Sequence, residues 1–247
     1  MSEPVIVFLG VSKSYPLYHH MGGNLKHFLF NLPNALKLMS KSRFSVLEDI
    51  SFSVNRGETF GIIGRNGAGK STTLGLIAGV LKPSKGSIEV RERVSPLLEL
   101  GSGFHPELTG RENIELNGVL LGLSRAEVLD KMDDIISFSE IGEYIDQPIR
   151  TYSSGTMARL GFSVVAHLDP KLMLIDEVLA VGDLAFQDKC MKKMQNFKEN
   201  HVTMVLVSHS PETVETVCDR VMWIDNHRVR MLGEPKEVVA AFKEAMH

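Results

Sequence analysis

Residues 64–71 read Gly64-Arg65-Asn66-Gly67-Ala68-Gly69-Lys70-Ser71. An apolar run (Phe60, Gly61, Ile62, Ile63) precedes them and a helix-like run (Leu74, Leu76, Ile77, Ala78) follows. Strand, glycine-rich loop and helix in that order make a phosphate-binding loop. Gly64, Gly67 and Gly69 let the backbone N–H groups of the loop, Asn66 and Ala68 included, turn toward an anion and approach it closely. The helix beginning near Lys70 adds its positive N-terminal end to the same place. Lys70 carries a full charge toward the β- and γ-phosphates of a nucleotide, the Ser71 hydroxyl suits Mg²⁺, and Thr72 adds a further hydroxyl. A ligand-free glycine turn does not need this complete spacing closed by Lys-Ser.

Bulk properties narrow the class. A chain of 247 residues with 43% hydrophobic residues can build a sizeable core. A net charge of −3 argues against a general nucleic-acid binder. No apolar run is long enough to span a bilayer, and the start of the chain lacks a basic-then-apolar leader, so a cytoplasmic location is expected. Cys190 and Cys218 have neither CxxC nor metal spacing and read as packing residues.

Working outward from the loop, residues 5–11, 46–50, 52–54 and 59–63 read as strands, with a turn at Arg56-Gly57. A helix is expected over 70–80, a strand over 87–90, and helices from 110 to about 144. Leu116, Leu120, Leu121 and Leu123 are expected to share one apolar face. Ser124 and Glu127 form a capping box before Val128, Leu129, Met132, Ile135 and Ile136 on an inner face. Further on, helices are expected at 156–167, 185–200, 211–218 and 235–245. Strands at 172–175 and 202–207 are of the buried type, and a hairpin turns at Asn226-His227. Apolar strands alternating with helices argue for an α/β core around a largely parallel sheet.

Three further stretches bear on the same chemistry. The strand at 172–175 ends in Asp176-Glu177; after a phosphate loop, the first acid suits a Mg²⁺ shell and the second the attacking water, whereas alone the pair fits a solvated strand end. Mg²⁺ takes few protein oxygens, so Ser71 and Asp176 suffice. His209 follows an apolar strand at the ligand edge of the sheet, where it can reach a γ-phosphate oxygen. Tyr152-Ser153-Ser154-Gly155-Thr156 opens a helix, and its hydroxyls and free N–H groups make a second anion site. It reads either as a plain Ser-capped helix or as a site serving the nucleotide of another chain, in a head-to-tail dimer holding two ATP.

Taken together, the phosphate loop, Ser-Ser-Gly, Asp-Glu, Val-Gly-Asp and Ser-His resemble an ABC-type ATPase subunit over nearly the whole chain. The fold this implies is α/β: a P-loop ABC-type nucleotide-binding domain spanning 1–247, with a mixed core sheet, an antiparallel β region and an inserted helical subdomain at about 110–168. By the resemblance Asp176 is a Mg²⁺ ligand, Glu177 the general base and His209 the switch histidine. Asp183 matches a loop that crosses the dimer interface, and Tyr15 the aromatic that stacks on adenine. Ser153, Ser154 and Gly155 match the signature presented to the partner's γ-phosphate. Two departures stand out. The signature reads Tyr-Ser-Ser-Gly-Thr instead of Leu-Ser-Gly-Gly-Gln, and Glu99 falls where the family has a coupling-loop glutamine that contacts Mg²⁺ or water.

The stretches 97–113, 151–155 and 176–183 are similar to the ATP-binding subunits of bacterial polysaccharide exporters, the Wzt type for O-antigen, with capsule and teichoic acid relatives. That resemblance implies ATP and Mg²⁺ as cofactors, a homodimer, and a polytopic membrane-spanning subunit in two copies. It also implies a lipid-linked polysaccharide as cargo, no nucleic acid, and a place on the cytoplasmic face of the bacterial inner membrane. An added C-terminal carbohydrate-binding domain, found in some members, is not expected. Residues 16–44 read as an insertion: basic, free of acids from 16 to 47, with Leu25, Phe28, Leu29, Leu32, Leu36 and Met39 on one helical face. Such an element suits a membrane surface or an anionic lipid head; it equally fits a surface helix packed on its own domain. A soluble ABC ATPase outside transport is the rival function.

Overall fold

Side-chain alternation along one sheet builds the core in two directions. The computed structural model describes residues 3–16, 43–97, 103–167, 170–176, 182–208 and 210–246. Residues 17–42 of the expected insertion, and Glu99, Glu177 and His209, lie outside them. The strands are β1 (Pro4–Pro16), β2 (Arg43–Asn55), β3 (Thr59–Ile63), β4 (Lys85–Val90), β5 (Val94–Leu97), β6 (Leu172–Asp176), β7 (Thr203–Val207), β8 (Arg220–Asp225) and β9 (Arg228–Gly233). The helices are α1 (Lys70–Ile77), α2 (Gly110–Leu120), α3 (Arg125–Ser139), α4 (Ser154–Ala166), α5 (Leu184–Glu199), α6 (Pro211–Val217) and α7 (Pro235–Met246).

The main sheet has six strands in the order β5-β6-β7-β3-β8-β9, all parallel except the β8–β9 hairpin. Its central strands are apolar on both faces, as a doubly covered parallel sheet requires. Leu172, Leu174, Val205, Val207, Met222 and Ile224 point to one side, toward α1 and a three-stranded antiparallel sheet, β2-β1-β4. Met173, Ile175, Met204, Leu206, Val221 and Trp223 point to the other, toward α4, α5, α6 and α7. Phe8, Phe52 and Phe60 stack in sequence, with centroids 4.5 and 5.2 Å apart, and so tie the antiparallel sheet to β3. Each such pair adds about 0.5–1.5 kcal/mol beyond the area it buries. Helices α2, α3 and α4 form a separate apolar cluster around Ile114, Val128, Ile135, Ile145 and Leu160. Mixed sheet, antiparallel sheet and helical region together give the expected α/β class.

Several local expectations are corrected. Residues 46–54 are one strand with 43–45 and 55, not two strands. Gly10 and Asp49, at φ 58° and 52°, break the β1–β2 register, and Ser51 Oγ and Ser12 Oγ accept from the Gly10 and Asp49 N–H groups. The polar residues in this run therefore mark an irregularity within a strand. Helix α1 stops at Ile77, not at residue 80: Gly79 turns left-handed (φ 73°) and the Leu81 N–H returns to the Gly75 carbonyl at 3.0 Å. The expected leucine face holds in part: Leu121 and Leu123 are partly buried against the core, but Leu120 is 66% exposed, and the residues α2 itself buries include Asn113, Ile114 and Gly118. Leu129 of α3 also faces outward. The hairpin turns where expected, on Asn226 and His227, both left-handed (φ 46° and 67°).

Candidate functional site

The sheet delivers β3, β6 and β7 to one edge with their C-terminal ends together. β3 lies between β7 and β8, and its end runs directly into the loop at 64–69. Gly64 (φ 155°) is forced by close packing: a Cβ there would sit 2.3 Å from the Ile224 carbonyl oxygen of β8. Gly69 (φ 107°) caps α1 and is forced in the same way, by Leu47 Cδ2 at 2.5 Å and the Val46 carbonyl oxygen at 2.7 Å. Gly67 (φ 79°) differs, because among the described residues nothing lies within 4 Å of where its Cβ would be. Two glycines thus wedge the loop against β2 and β8, and the third faces open space. That cradle fits a phosphate chain.

Lys70 lies at the start of α1 and is 6% exposed. Its ammonium donates to the Gly64 carbonyl at 2.9 Å and the Arg65 carbonyl at 3.2 Å. The charge is therefore held over the loop and not in solvent, where an anion gains most from it. Asn66 and Ser71 are exposed, Ala68 is buried and Thr72 half-buried. Thr73, not singled out from the sequence, closes the first turn by donating to the Gly69 carbonyl from both its N–H (2.9 Å) and its hydroxyl (3.0 Å).

Asp176 ends β6, level with Val207 of β7, and Val207 pairs with Ile62 of β3. Two strand spacings put Asp176 about 10 Å across the sheet from β3, on the edge that carries the loop. Ser208 and Ser210, which flank His209, are described. Ser208 Oγ accepts from the Ser210 N–H at 3.1 Å, and Ser210 Oγ caps α6 through the Thr213 N–H at 3.3 Å.

Ser153 and Ser154 are exposed at the N-terminus of α4. Ser153 Oγ accepts from the Thr156 N–H at 3.1 Å, so the serine cap expected from sequence exists. Among the described residues, a Cβ on Gly155 would meet only Ser153 Oγ, at 3.8 Å. Asp183 caps α5 through the Phe186 N–H at 3.0 Å. That hydrogen bond, then the charge of Arg159, holds the Asp183 carboxyl below its ordinary range. Arg159 was not apparent from sequence. It lies one helical turn beyond Gly155, donates to Asp183 Oδ2 at 2.7 Å, approaches Glu140 at 3.6 Å, and lies 4.9 Å over the Phe186 ring. The i, i+4 spacing from Gly155 was the available signal, but its partner Asp183 is 24 residues away. Tyr15 is 37% exposed near the end of β1. Cys190 and Cys218 are buried, and burial pushes both thiols up to about 12, consistent with packing and not reactivity.

The ABC transporter family pattern matches residues 47–180. The chain belongs to the ABC transporter family. It is 55% identical over 244 residues to an O-antigen export system ATP-binding protein, RfbB, of Klebsiella pneumoniae, across 99% of both chains. It is 49% identical to the ABC transporter protein AbcA of Aeromonas salmonicida, covering 78% of that protein, and 45% identical to a teichoic acids export ATP-binding protein, TagH, of Lactococcus lactis, covering 43% of it. Two solved structures share its fold. One is an ATP-binding cassette, MJ0796, in a dimeric post-hydrolysis state with ADP and Pi (TM-score 0.73, 18% identity, 93% of this chain and 98% of that one). The other is an ATP-binding subunit of an ABC transporter (TM-score 0.75, 24% identity, 97% and 93%). As an ABC ATPase, the chain binds and hydrolyses ATP. Among the described residues, no helix is long and apolar enough to cross a membrane.

Proposed function

We propose that this ABC ATPase drives export of a lipid-linked polysaccharide of the O-antigen type, as one of two copies beneath a membrane-spanning partner. The observation that carries the reading is end-to-end similarity to an O-antigen export ATP-binding protein, joined to a phosphate loop with an open, lysine-lined cradle. Teichoic acid export, to which the TagH relatives point, is the neighbouring reading.

Residues 64–72 hold the triphosphate, with Lys70 on its outer phosphates. The Ser71 hydroxyl and the Asp176 carboxylate are the hard oxygens that would hold Mg²⁺, which neutralises charge on the phosphates; Glu99 is a further oxygen ligand proposed from its place in the sequence. Glu177 takes a proton from water as the water oxygen bonds to the γ-phosphorus. The bond from that phosphorus to the bridging oxygen breaks, leaving ADP and phosphate, and His209 donates to a γ-phosphate oxygen. Tyr15 stacks on the adenine. Ser153, Ser154 and Gly155 face the γ-phosphate of the partner copy, and Asp183 lies in the loop crossing between copies. ATP closes the pair and hydrolysis opens it.

Capture of tagged Glu177→Gln protein from native membranes in mild detergent, followed by mass spectrometry, tests the reading. A stoichiometric polytopic membrane protein, with glycan-lipid synthesis enzymes encoded beside it, is expected. Soluble partners alone, or ribosomes, would leave the ATPase intact and sink the export reading.

A further inference from the structure

We infer that Phe44 forms, with Tyr15, a two-ring aromatic platform for the base of the bound nucleotide, and that His227 holds it in place. The inference rests on the ATP-binding reading above and deepens it, because neither Phe44 nor His227 belongs to the phosphate loop.

Register decides which way Phe44 points. In the β1–β2 pair, Lys13 lies opposite Leu47 and Tyr15 opposite Phe44. Two residues on β1 therefore span three steps on β2, and the register shifts between Lys13 and Ser14, at Val46. An extra residue in one strand reverses the side-chain parity beyond it. Lys13 and Tyr15 share a face by ordinary alternation, and the Lys13 ammonium lies 4.8 Å over the Tyr15 ring. Residues directly opposite each other share a face as well. Phe44, Tyr15 and Leu47 consequently all lie on one side of the pair. Leu47 is the side chain that packs against Gly69 of the phosphate loop. Without the bulge, Phe44 would turn away from that loop.

The ring is exposed yet fixed. Phe44 is 50% exposed and Tyr15 37%, an uncommon degree of exposure for two adjoining aromatics. Phe44 meets the His227 ring edge to face, with centroids 5.7 Å apart at 83°. His227 is itself anchored. Its Nδ1 lies 3.1 Å from the Val46 carbonyl oxygen, and its own carbonyl accepts from the Glu48 N–H at 2.8 Å. The Val46 carbonyl is the one that packs on Gly69. One bulged residue thus links His227, Phe44 and the loop. Phe44 stands two residues, roughly 7 Å along the strand, from the point where β2 touches the phosphate loop. A flat base attached to phosphates in that loop meets this platform. Stacking needs only a π-face, and alanine substitution of a stacking ring commonly weakens binding about tenfold.

The test compares ATP with inorganic tripolyphosphate, which has the phosphates and no base, by calorimetry on the full chain. Phe44→Ala is expected to weaken ATP about tenfold and leave tripolyphosphate unchanged. Phe44→Leu, which keeps apolar bulk, should behave like the alanine variant. Phe44→Trp should regain ATP affinity, with indole fluorescence quenched by ATP and not by tripolyphosphate. Unchanged ATP affinity in Phe44→Ala, equal loss of both ligands, or full recovery in Phe44→Leu would overturn the inference. Wild-type protein that binds tripolyphosphate no more weakly than ATP would overturn it too. Wild-type protein that binds neither would instead remove the nucleotide reading beneath it.

Discussion

Single residues at this site do two kinds of work, and stability separates them. Lys70 is buried and donates to two loop carbonyls, so Lys70→Ala removes the charge that faces the phosphates together with two hydrogen bonds that hold the loop. It is expected to lose nearly all ATP binding with a modest fall in melting temperature, checked by calorimetry beside a thermal melt. Arg159 is different. Its partner Asp183 has a 66% exposed side chain, and exposed pairs contribute only about 0.2–1 kcal/mol. Yet the pair joins α4, whose start is proposed to face the partner's nucleotide, to Asp183 at the start of α5, and a small misplacement of positioned groups can cost up to about 100-fold in rate. Arg159→Met is therefore expected to lower kcat at least about tenfold while costing no more than about 1 kcal/mol in stability, with Arg159→Lys partly restoring kcat. Equal losses in both would mean the residue only holds the fold. The sign with pH follows from the Asp183 carboxyl. Being held below its ordinary range, it stabilises above that range and loses the contribution only as pH falls through the lowered value. The cap is thus intact at neutral pH, and a pH–rate profile between about 6 and 9 should owe nothing to Asp183. From sequence, Lys70 and its glycines were plain because the motif is local. Arg159 was not, because the distance that matters spans 24 residues and becomes short only on folding.

Elements show where periodicity informs and where it misleads. The Ser124–Glu127 capping box was legible and is present, Ser124 Oγ accepting from the Glu127 N–H and Glu127 from the Ser124 N–H. Thr109 and Glu112 form a second box at α2. Ser124→Ala should cost about 1 kcal/mol, read from a denaturant melt. The buried face of α2 is built largely from small and polar residues, which apolar periodicity does not reveal. A Cβ on Gly118 would fall 2.5 Å from Val128 Cγ2, so α2 and α3 approach through the smallest residue available. Asn113 shares that face, and its amide donates to the carbonyls of His105, Leu108 and Thr109 while its carbonyl accepts from the His105 N–H. A buried Asn that organises a loop carries no hydrophobic signal. These facts set opposing terms for Gly118→Ala. Helix propensity favours alanine by about 1 kcal/mol, and overpacking opposes it by about 1–3 kcal/mol. At 2.5 Å from a backbone-anchored valine the clash should win, and the variant should melt earlier than wild type. A later melt would mean that α2 and α3 separate without cost.

At the scale of the whole molecule, the two helix starts proposed to bind phosphate lie on different parts of the fold. The phosphate loop belongs to the six-stranded sheet, and the Ser153 cap to the helical cluster of α2, α3 and α4. That separation is the structural reason to expect two copies head to tail, each loop facing the other's cap, and it makes a prediction that no single-chain site can imitate. Lys70→Ala spoils a chain's loop and leaves its signature. Gly155→Asp leaves the loop and spoils the signature by like charge against phosphate. The aspartate has room, since among the described residues only Ser153 Oγ lies within 4 Å of the new Cβ, and a negative charge suits a helix start. Each variant alone should be close to inactive. Mixed in equal amounts, half the pairs combine one of each, and such a pair holds one intact composite site. Activity should then return to at most about a quarter of the wild-type level, on mixing alone and with dilution reversing it. If each site were built within one chain, both chains would be defective and mixing would restore nothing. The readout requires no identified cargo and no membrane partner, so a negative result would bear on the paired arrangement alone.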